Sequence, residues 1–350
     1  MPKSQVALFR GDDRFENVAQ ALALLSGKID LSSKHRVLIK PNFVSPQYPL
    51  ACTHVEAVRA VLDFVRARYD GRLTIAEGPS ATPAAEAFRI LGYESLARDY
   101  DAQLVDLNLD DPVPVGAYTW RLRPLRLSMA RTVLDSDFRI SVGPAKTHDT
   151  VIVTLGIKNM VMGTLISRFT HGHRSRSSDP MGNGNLSKLV WRATPSWLQR
   201  LPPAEWVQFR VMATLQPSDK MKMHQSFPAI NLNLAVLAPR VMPHLSVIDA
   251  FEAMEGNGPS KGSPVPLRVA LASTDALAAD VVATNLMGFD SDKIGYLHYC
   301  KEMGLGEGDL SQIDLVGNTD LAECARLFLP HDTYNRQLRW QFPQAKEYLV

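Results

Sequence analysis

Four lysines stand in surroundings that do not suit a solvated lysine. Lys40 ends the apolar run Val37-Leu38-Ile39, and Lys146 lies in Gly143-Pro144-Ala145-Lys146-Thr147-His148. Lys158 lies in Leu155-Gly156-Ile157-Lys158-Asn159, and Lys261 in the Gly- and Pro-rich stretch Glu255–Gly262. Ammonium groups gathered in one pocket repel one another unless an anion or carboxylates share the space. Glu77, Asp249 and Glu255 are the carboxylates at hand. Either the lysines hold a ligand bearing a carboxylate or phosphate, or one of them, kept below its ordinary pKa, acts as base or nucleophile. His148, two residues after Lys146, adds a group that exchanges protons near neutral pH with little tuning. The expected catalytic set is Lys158, His148, Lys146 and Glu77. Lys40, Asn42, Asn159, Asp249, Glu255, Asn257 and Lys261 are expected to line the substrate.

The histidines offer a second chemistry. His171-Gly172-His173 places two imidazoles where they could ligate a divalent metal, with the third ligand supplied from elsewhere. Flanked by Arg174 and Arg176, the same pair equally suits an anion-binding loop. Several cofactor readings are disfavoured. No G-x-G-x-x-G opens a helix directly after a strand, and no G-x-x-x-x-G-K-[ST] loop occurs, which argues against NAD and P-loop ATP. Cys52, Cys300 and Cys324 are scattered and form no C-x-x-C pair, so an iron–sulfur cluster is not expected and the thiols read as reduced.

Position in the chain links these residues. Candidate strands are Val6–Phe9, Arg36–Lys40, Arg72–Ala76, Gln103–Asp106, Phe138–Val142, Leu245–Ile248 and Leu267–Ala272. Helical spacing lies between them: apolar residues recur at three and four in Val55–Arg68, and Thr274-Asp275 reads as the N-cap of a buried helix Ala276–Met287. Strands alternating with helices predict an α/β fold, a mostly parallel sheet with helices on both faces. The polar loops follow the carboxyl ends of these strands, where open α/β sheets bind ligands. The expected organisation is two lobes, residues 1–160 and 231–330, around a cleft, with an insertion at 161–230 and a C-terminal arm at 331–350.

The insertion departs from the rest in composition. It holds three of the five tryptophans, and Thr164–Ser226 carries nine Lys or Arg against three Asp or Glu. It reads as a lid, a subunit-contact arm of a homo-oligomer, a membrane-surface patch or a solvated basic face. The whole chain is balanced, with 38 Lys and Arg, 36 Asp and Glu and a net charge of +2, which does not predict a nucleic-acid binder. Neither a signal peptide nor a run of ~20 apolar residues is present, so a cytoplasmic protein without a transmembrane segment is expected.

Taken in order, these loops resemble the DUF362 family, a domain of unknown function. The likeness rests on Leu38-Ile39-Lys40-Pro41-Asn42, Ala76-Glu77-Gly78, Ala145-Lys146-Thr147-His148 and Leu155-Gly156-Ile157-Lys158-Asn159. It continues in Ile230-Asn231-Leu232-Asn233-Leu234, Ile248-Asp249-Ala250 through Glu255-Gly256-Asn257-Gly258-Pro259, and Ala272-Ser273-Thr274-Asp275 through Ala279-Asp280. Some members of that family carry an added ferredoxin-like module with iron–sulfur clusters; with three scattered cysteines, no such module is expected here. The Lys-Thr-His and Gly-Ile-Lys-Asn loops are also distantly similar to the lactate-racemase-type domain. That likeness implies a lysine-tethered nickel-pincer nucleotide, with Lys158 as the cofactor lysine and His148 with His171 or His173 as the imidazoles. Three functions follow: an enzyme acting on a small anionic substrate, with isomerase or racemase chemistry among the options; a metal or cofactor carrier without turnover; and a scaffold that docks a partner or lipid surface through 161–230.

Overall fold

The computed structural model describes residues 3–80, 82–167 and 218–349. Its strands are β1 (Ser4–Arg10), β2 (Arg36–Lys40), β3 (Arg72–Glu77), β4 (Ala102–Asp106), β5 (Pro112–Tyr118), β6 (Pro124–Ala130), β7 (Phe138–His148), β8 (Ile152–Thr154), β9 (Leu245–Glu255), β10 (Ser263–Val265), β11 (Val269–Ser273) and β12 (Ile313–Gly317). Eight of them follow the order β12-β1-β11-β9-β7-β2-β3-β4 in one sheet, with β8 added to β7 and β10 to β9. Pairing is parallel from β9 through β7, β2 and β3 to β4, and again between β1 and β12. Strand β11 runs antiparallel to both β1 and β9. The connection from β9 to β11 holds no crossover helix, and a chain that returns without one must pair antiparallel.

Side chains alternate across this sheet and divide the core in two. Ala7, Val37, Ile39, Leu73, Ile75, Leu245 and Val247 point to one side, where α1 (Arg14–Leu24), α2 (Val55–Arg66), α3 (Ala84–Ile90) and α4 (Tyr93–Asp99) cover them. Val6, Leu8, Leu38, Ile248, Val269 and Leu271 point to the other. That second layer holds α5 (Arg131–Leu134), α6 (Gly156–Thr164), α7 (Asp219–Met223), α8 (Phe227–Val241), α9 (Ala276–Leu286) and α10 (Gly295–Glu302), together with the β5–β6 hairpin. This is the α/β sheet with helices on both faces that the alternation predicts. Segments 1–160 and 231–330 both contribute strands to it, β7 and β9 pairing in parallel from Ile140–Leu245 to Pro144–Asp249.

Local signals account for the helices that matter. His54 caps α2, its Nδ1 accepting from the Glu56 amide at 3.2 Å. Asp275 caps α9 as expected, accepting from the Ala278 amide at 3.0 Å. Of the segment 161–230, the described ends belong to the core: Met162, Leu165 and Ile166 on one side, Met223, Phe227 and Ile230 on the other, are buried. Among the described residues no helix is long and apolar enough to cross a membrane. The C-terminal arm contains a short helix, Tyr334–Gln337, and clamps the β7–β8 turn. Thr333 Oγ1 donates to the Asp149 carbonyl at 2.8 Å, Gln337 Nε2 donates to the His148 carbonyl at 2.9 Å, and Gln337 Oε1 accepts from the Ile152 amide.

Candidate functional site

The carboxyl ends of β2, β3 and β7 meet the first turn of α6, and a polar network fills the junction. Lys40 Nζ donates to Glu77 Oε1 at 2.9 Å, to the Pro41 carbonyl at 2.9 Å and to Asn159 Oδ1 at 3.1 Å. Asn159 Oδ1 also accepts from Asn42 Nδ2 at 3.0 Å, while its own Nδ2 donates to Ser141 Oγ at 3.0 Å and to the Lys40 carbonyl at 3.3 Å. Lys146 Nζ donates to Asn42 Oδ1 at 2.5 Å and to the Ala51 carbonyl at 2.6 Å. Six residues from four elements and the loop after β2 thereby hold one another. All are buried, with Lys40 and Lys146 wholly removed from solvent.

Helix α6 is fixed from across the fold. The Asp280 carboxylate, on α9, accepts from the Gly156 amide at 2.8 Å and the Ile157 amide at 3.1 Å. It satisfies two of the donors that a helix start leaves open, and so sets where Lys158 and Asn159 begin. Gly156 has to be glycine here, because a Cβ would lie 2.2 Å from Ser246 Oγ. At the other end of the helix, a Cβ on Gly163 would lie 2.2 Å from Lys40 Cε and Nζ. The helix is notched for the Lys40 side chain.

A fourth lysine joins from α7. Lys220 Nζ donates to the Gly78 carbonyl, at the end of β3. Burial pushes all four amines down: Lys146 to about 7, Lys158 and Lys220 to about 8, and Lys40 in the same direction. Glu77 opposes the fall in every one of the four, which places all of them within reach of one carboxylate. That carboxylate is already engaged. Glu77 Oε1 accepts from Lys40 and from the Phe43 amide at 3.1 Å, and Oε2 is buried without a partner. Lys158 differs from the other three, with no hydrogen-bond acceptor among the described residues and 8% exposure at the site.

His148 follows Lys146 on β7 and is held neutral. Burial drives its pKa well below the ordinary imidazole value, and Lys158, His224, Lys146 and His331 push it further. Its own loop holds the ring through Nδ1, which lies 3.1 Å from the Thr150 amide, 3.0 Å from Thr150 Oγ1 and 3.1 Å from Asp149 Oδ1. His224 and His331 feel Asp149, as Lys158 does, so three elements converge around the β7–β8 turn.

Other residues read as substrate-lining lie elsewhere. Asp249 faces α1, where Arg14 Nε approaches its Oδ2 to 3.1 Å and the Phe251 amide donates to Oδ1 at 3.0 Å. Glu255 Oε2 accepts from the Leu329 amide at 2.9 Å, and Asn257 exchanges hydrogen bonds with Asp332. Both tie the C-terminal segment to the end of β9. Lys261 is exposed. His171 and His173 lie outside the described residues. Sequence reasoning passed over Lys220 and Asp280. Lys220 sits in Asp219-Lys220-Met221-Lys222-Met223, whose alternating charges look like a solvated helix face, and Asp280 hides in an Ala- and Val-rich helix. Its one signal was an acid at an otherwise apolar position.

Against a lysine-tethered nickel group, the described residues offer Lys158, which has no hydrogen-bond acceptor among them, but not the metal's ligands. Among them no three His, Cys, Asp or Glu side chains come together as a metal site, and His148 Nδ1 is turned to its own loop. The described residues do not fit such a group.

A mostly parallel sheet with a buried, lysine-lined junction at its carboxyl end defines an α/β protein built around a basic site. The chain belongs to the family "Domain of unknown function (DUF362)", whose model matches residues 37–285 and so contains Lys40, Glu77, Lys146, Lys158, Lys220 and Asp280. It is 23% identical over 275 residues to the thylakoid-associated protein sll1697 of Synechocystis sp. (strain ATCC 27184 / PCC 6803 / Kazusa), which covers 77% of this chain and 68% of that protein. Among solved structures it is similar to the lactate racemase apoprotein from Thermoanaerobacterium thermosaccharolyticum, with a TM-score of 0.43 and 11% identity over 82% of this chain. The chain spans 57% of the length of that racemase.

Proposed function

We propose that this chain is an enzyme acting on a small carboxylate- or phosphate-bearing substrate by lysine- and histidine-centred acid–base chemistry. The supporting observation is a charge imbalance: four buried lysines share Glu77, which Lys40 and the Phe43 amide already occupy, and beyond it Asp149 acts on Lys158 and Asp106 on Lys220. A buried cluster of that sign is costly until a further negative charge enters, and the substrate's anion is that charge.

The same groups divide the chemistry. Lys40, Asn42 and Asn159 form the rigid floor. Lys158, without a hydrogen-bond acceptor among the described residues and titrating at about 8, is the reactive amine. Lys146, at about 7, is an ammonium acidic enough to return a proton near neutral pH. His148 donates a ring N–H to a substrate oxygen and steadies charge that develops there. Isomerisation or racemisation beside a carboxylate uses these parts, a proton leaving carbon and returning to it. The test is solvent exchange: a panel of 2-hydroxy, 2-amino and 2-oxo acids is incubated in D2O with the protein and followed by NMR. Deuterium at the carbon beside the carboxylate of one class, lost in Lys158→Ala and His148→Ala, is the expected result. Exchange that survives both substitutions refutes the assigned roles.

A further inference from the structure

The four lysines of the site are not equivalent. Lys40 spends its ammonium on three acceptors, Lys146 on two and Lys220 on the Gly78 carbonyl. Lys158 has none among the described residues, although it is 8% exposed on the first turn of a helix whose start is pinned by Asp280. Burial disfavours the charged form of this amine and Lys40 adds to that, against the opposing pull of Asp149 and Glu77. A lysine desolvated next to other cationic groups is a nucleophile toward carbonyl carbon.

Resting on the reading of this cluster as an anion site, we infer that its substrate class is an aldehyde or ketone that also bears a carboxylate or phosphate, and that Lys158 binds it covalently as an imine. The amine nitrogen of Lys158 adds to the carbonyl carbon, forming the C–N bond while the carbonyl π pair moves to oxygen. The C–O bond then breaks, and the two amine hydrogens leave with that oxygen as water. No oxidant or reductant is consumed. The His148 ring N–H polarises the carbonyl oxygen at the start, and Lys146 relays the proton to the leaving hydroxyl. Lys40, Lys146 and Lys220 supply the positive field that selects the anionic member of a pair of carbonyl compounds.

Trapping tests the idea on the intact chain. The protein is treated at pH 7.5 with glyoxylate and sodium cyanoborohydride, and parallel samples receive acetaldehyde in place of glyoxylate or inorganic phosphate as a competitor. Peptide mapping by mass spectrometry then reads the reduced adduct at each lysine. With its midpoint at about 8, Lys158 holds roughly a hundred times more free amine than an ordinary exposed lysine. The expected result is glyoxylate labelling at Lys158 tens of times faster than at exposed Lys261, slowed by phosphate. Acetaldehyde should label Lys158 at least about tenfold more slowly, since a single-sign pocket concentrates anions to that degree. Labelling of Lys158 no faster than of Lys261 overturns the imine while phosphate binding, measured by calorimetry, leaves the anion site standing. Equal labelling by both aldehydes with no effect of phosphate overturns the anion site itself, and the substrate class with it.

Discussion

Replacing Lys158 by methionine should make this protein more stable at neutral pH. Lys158 titrates at about 8 in the fold, against 10.5 as the ordinary lysine value. Its folded pKa is the lower, so between those two values the unfolded chain holds the proton and the native chain does not. Stability therefore rises as pH climbs from 8 to 10.5, and falls back as pH drops through 8. At pH 7 the ammonium is charged in both states, and its burial costs the full difference of 2.5 units, about 3 kcal/mol. Methionine keeps the chain length and apolar stem without the charge, so Lys158→Met should recover ~2–3 kcal/mol at pH 7 and progressively less toward pH 10. Urea denaturation of both proteins at pH 7, 8 and 9 measures this directly. The steepness of the wild-type curve should exceed that of the variant by close to one proton in the pH range just above 8. A variant less stable than wild type at pH 7, or one with an unchanged pH slope, refutes the account of a charge imbalance. A gain of stability with loss of phosphate binding is the mark of a site that keeps its charge for function.

Three further substitutions examine the surrounding network. Glu77→Gln leaves Lys40 buried without its counter-charge and should cost about 3 kcal/mol in urea denaturation; because Glu77 holds Lys158 up, the pH midpoint of Lys158 labelling should also move lower. Gly163→Ala drives a methyl into Lys40, which is wholly buried and cannot swing aside, so a loss of ~1–3 kcal/mol is expected together with weaker phosphate binding by calorimetry. Asp280→Ala strips the acceptor from the Gly156 and Ile157 amides and should lower stability by about 2 kcal/mol or more, with slower aldehyde labelling of Lys158 than in wild type as its helix start loosens.

The sheet was legible where strands are continuous apolar runs. All seven expected strands are found, since β2, β3, β7, β9 and β11 are covered on both faces and need apolar residues at successive positions. The strands that sequence reasoning passed over obey other rules. Pro112-Val113-Pro114-Val115-Gly116 carries two prolines and a glycine, a pattern that speaks against a central strand and suits the two-stranded hairpin found there. β12 mixes Asp314 with its apolar residues because it lies at the sheet edge.

The site was legible through context and obscured by it. An apolar run that ends in lysine, as at Lys40, leaves that side chain nowhere to go but inward, and Lys146 and Lys158 follow the same logic. Lys261 has a context that arises for another reason: glycine and proline there shape the turn between β9 and β10, and the side chain leaves for solvent. Lys220 shows the reverse case. Its neighbours Asp219 and Lys222 pair with each other at 2.7 Å, Asp219 also accepting from the Ser128 amide, while Lys220 reaches inward to Gly78. A helix of five residues has too little length for a 3.6-residue pattern to reveal which charged residue is buried. What decides it is the partner, and the Gly78 carbonyl is 142 residues away in sequence. Convergence of that range is a property of β-strand order: β2, β3 and β7 lie side by side only because the crossovers return each strand parallel to the last. The chemistry assigned to Lys158 thus depends on a sheet topology that no local stretch of the chain encodes, and on Asp280 holding the start of α6 against it.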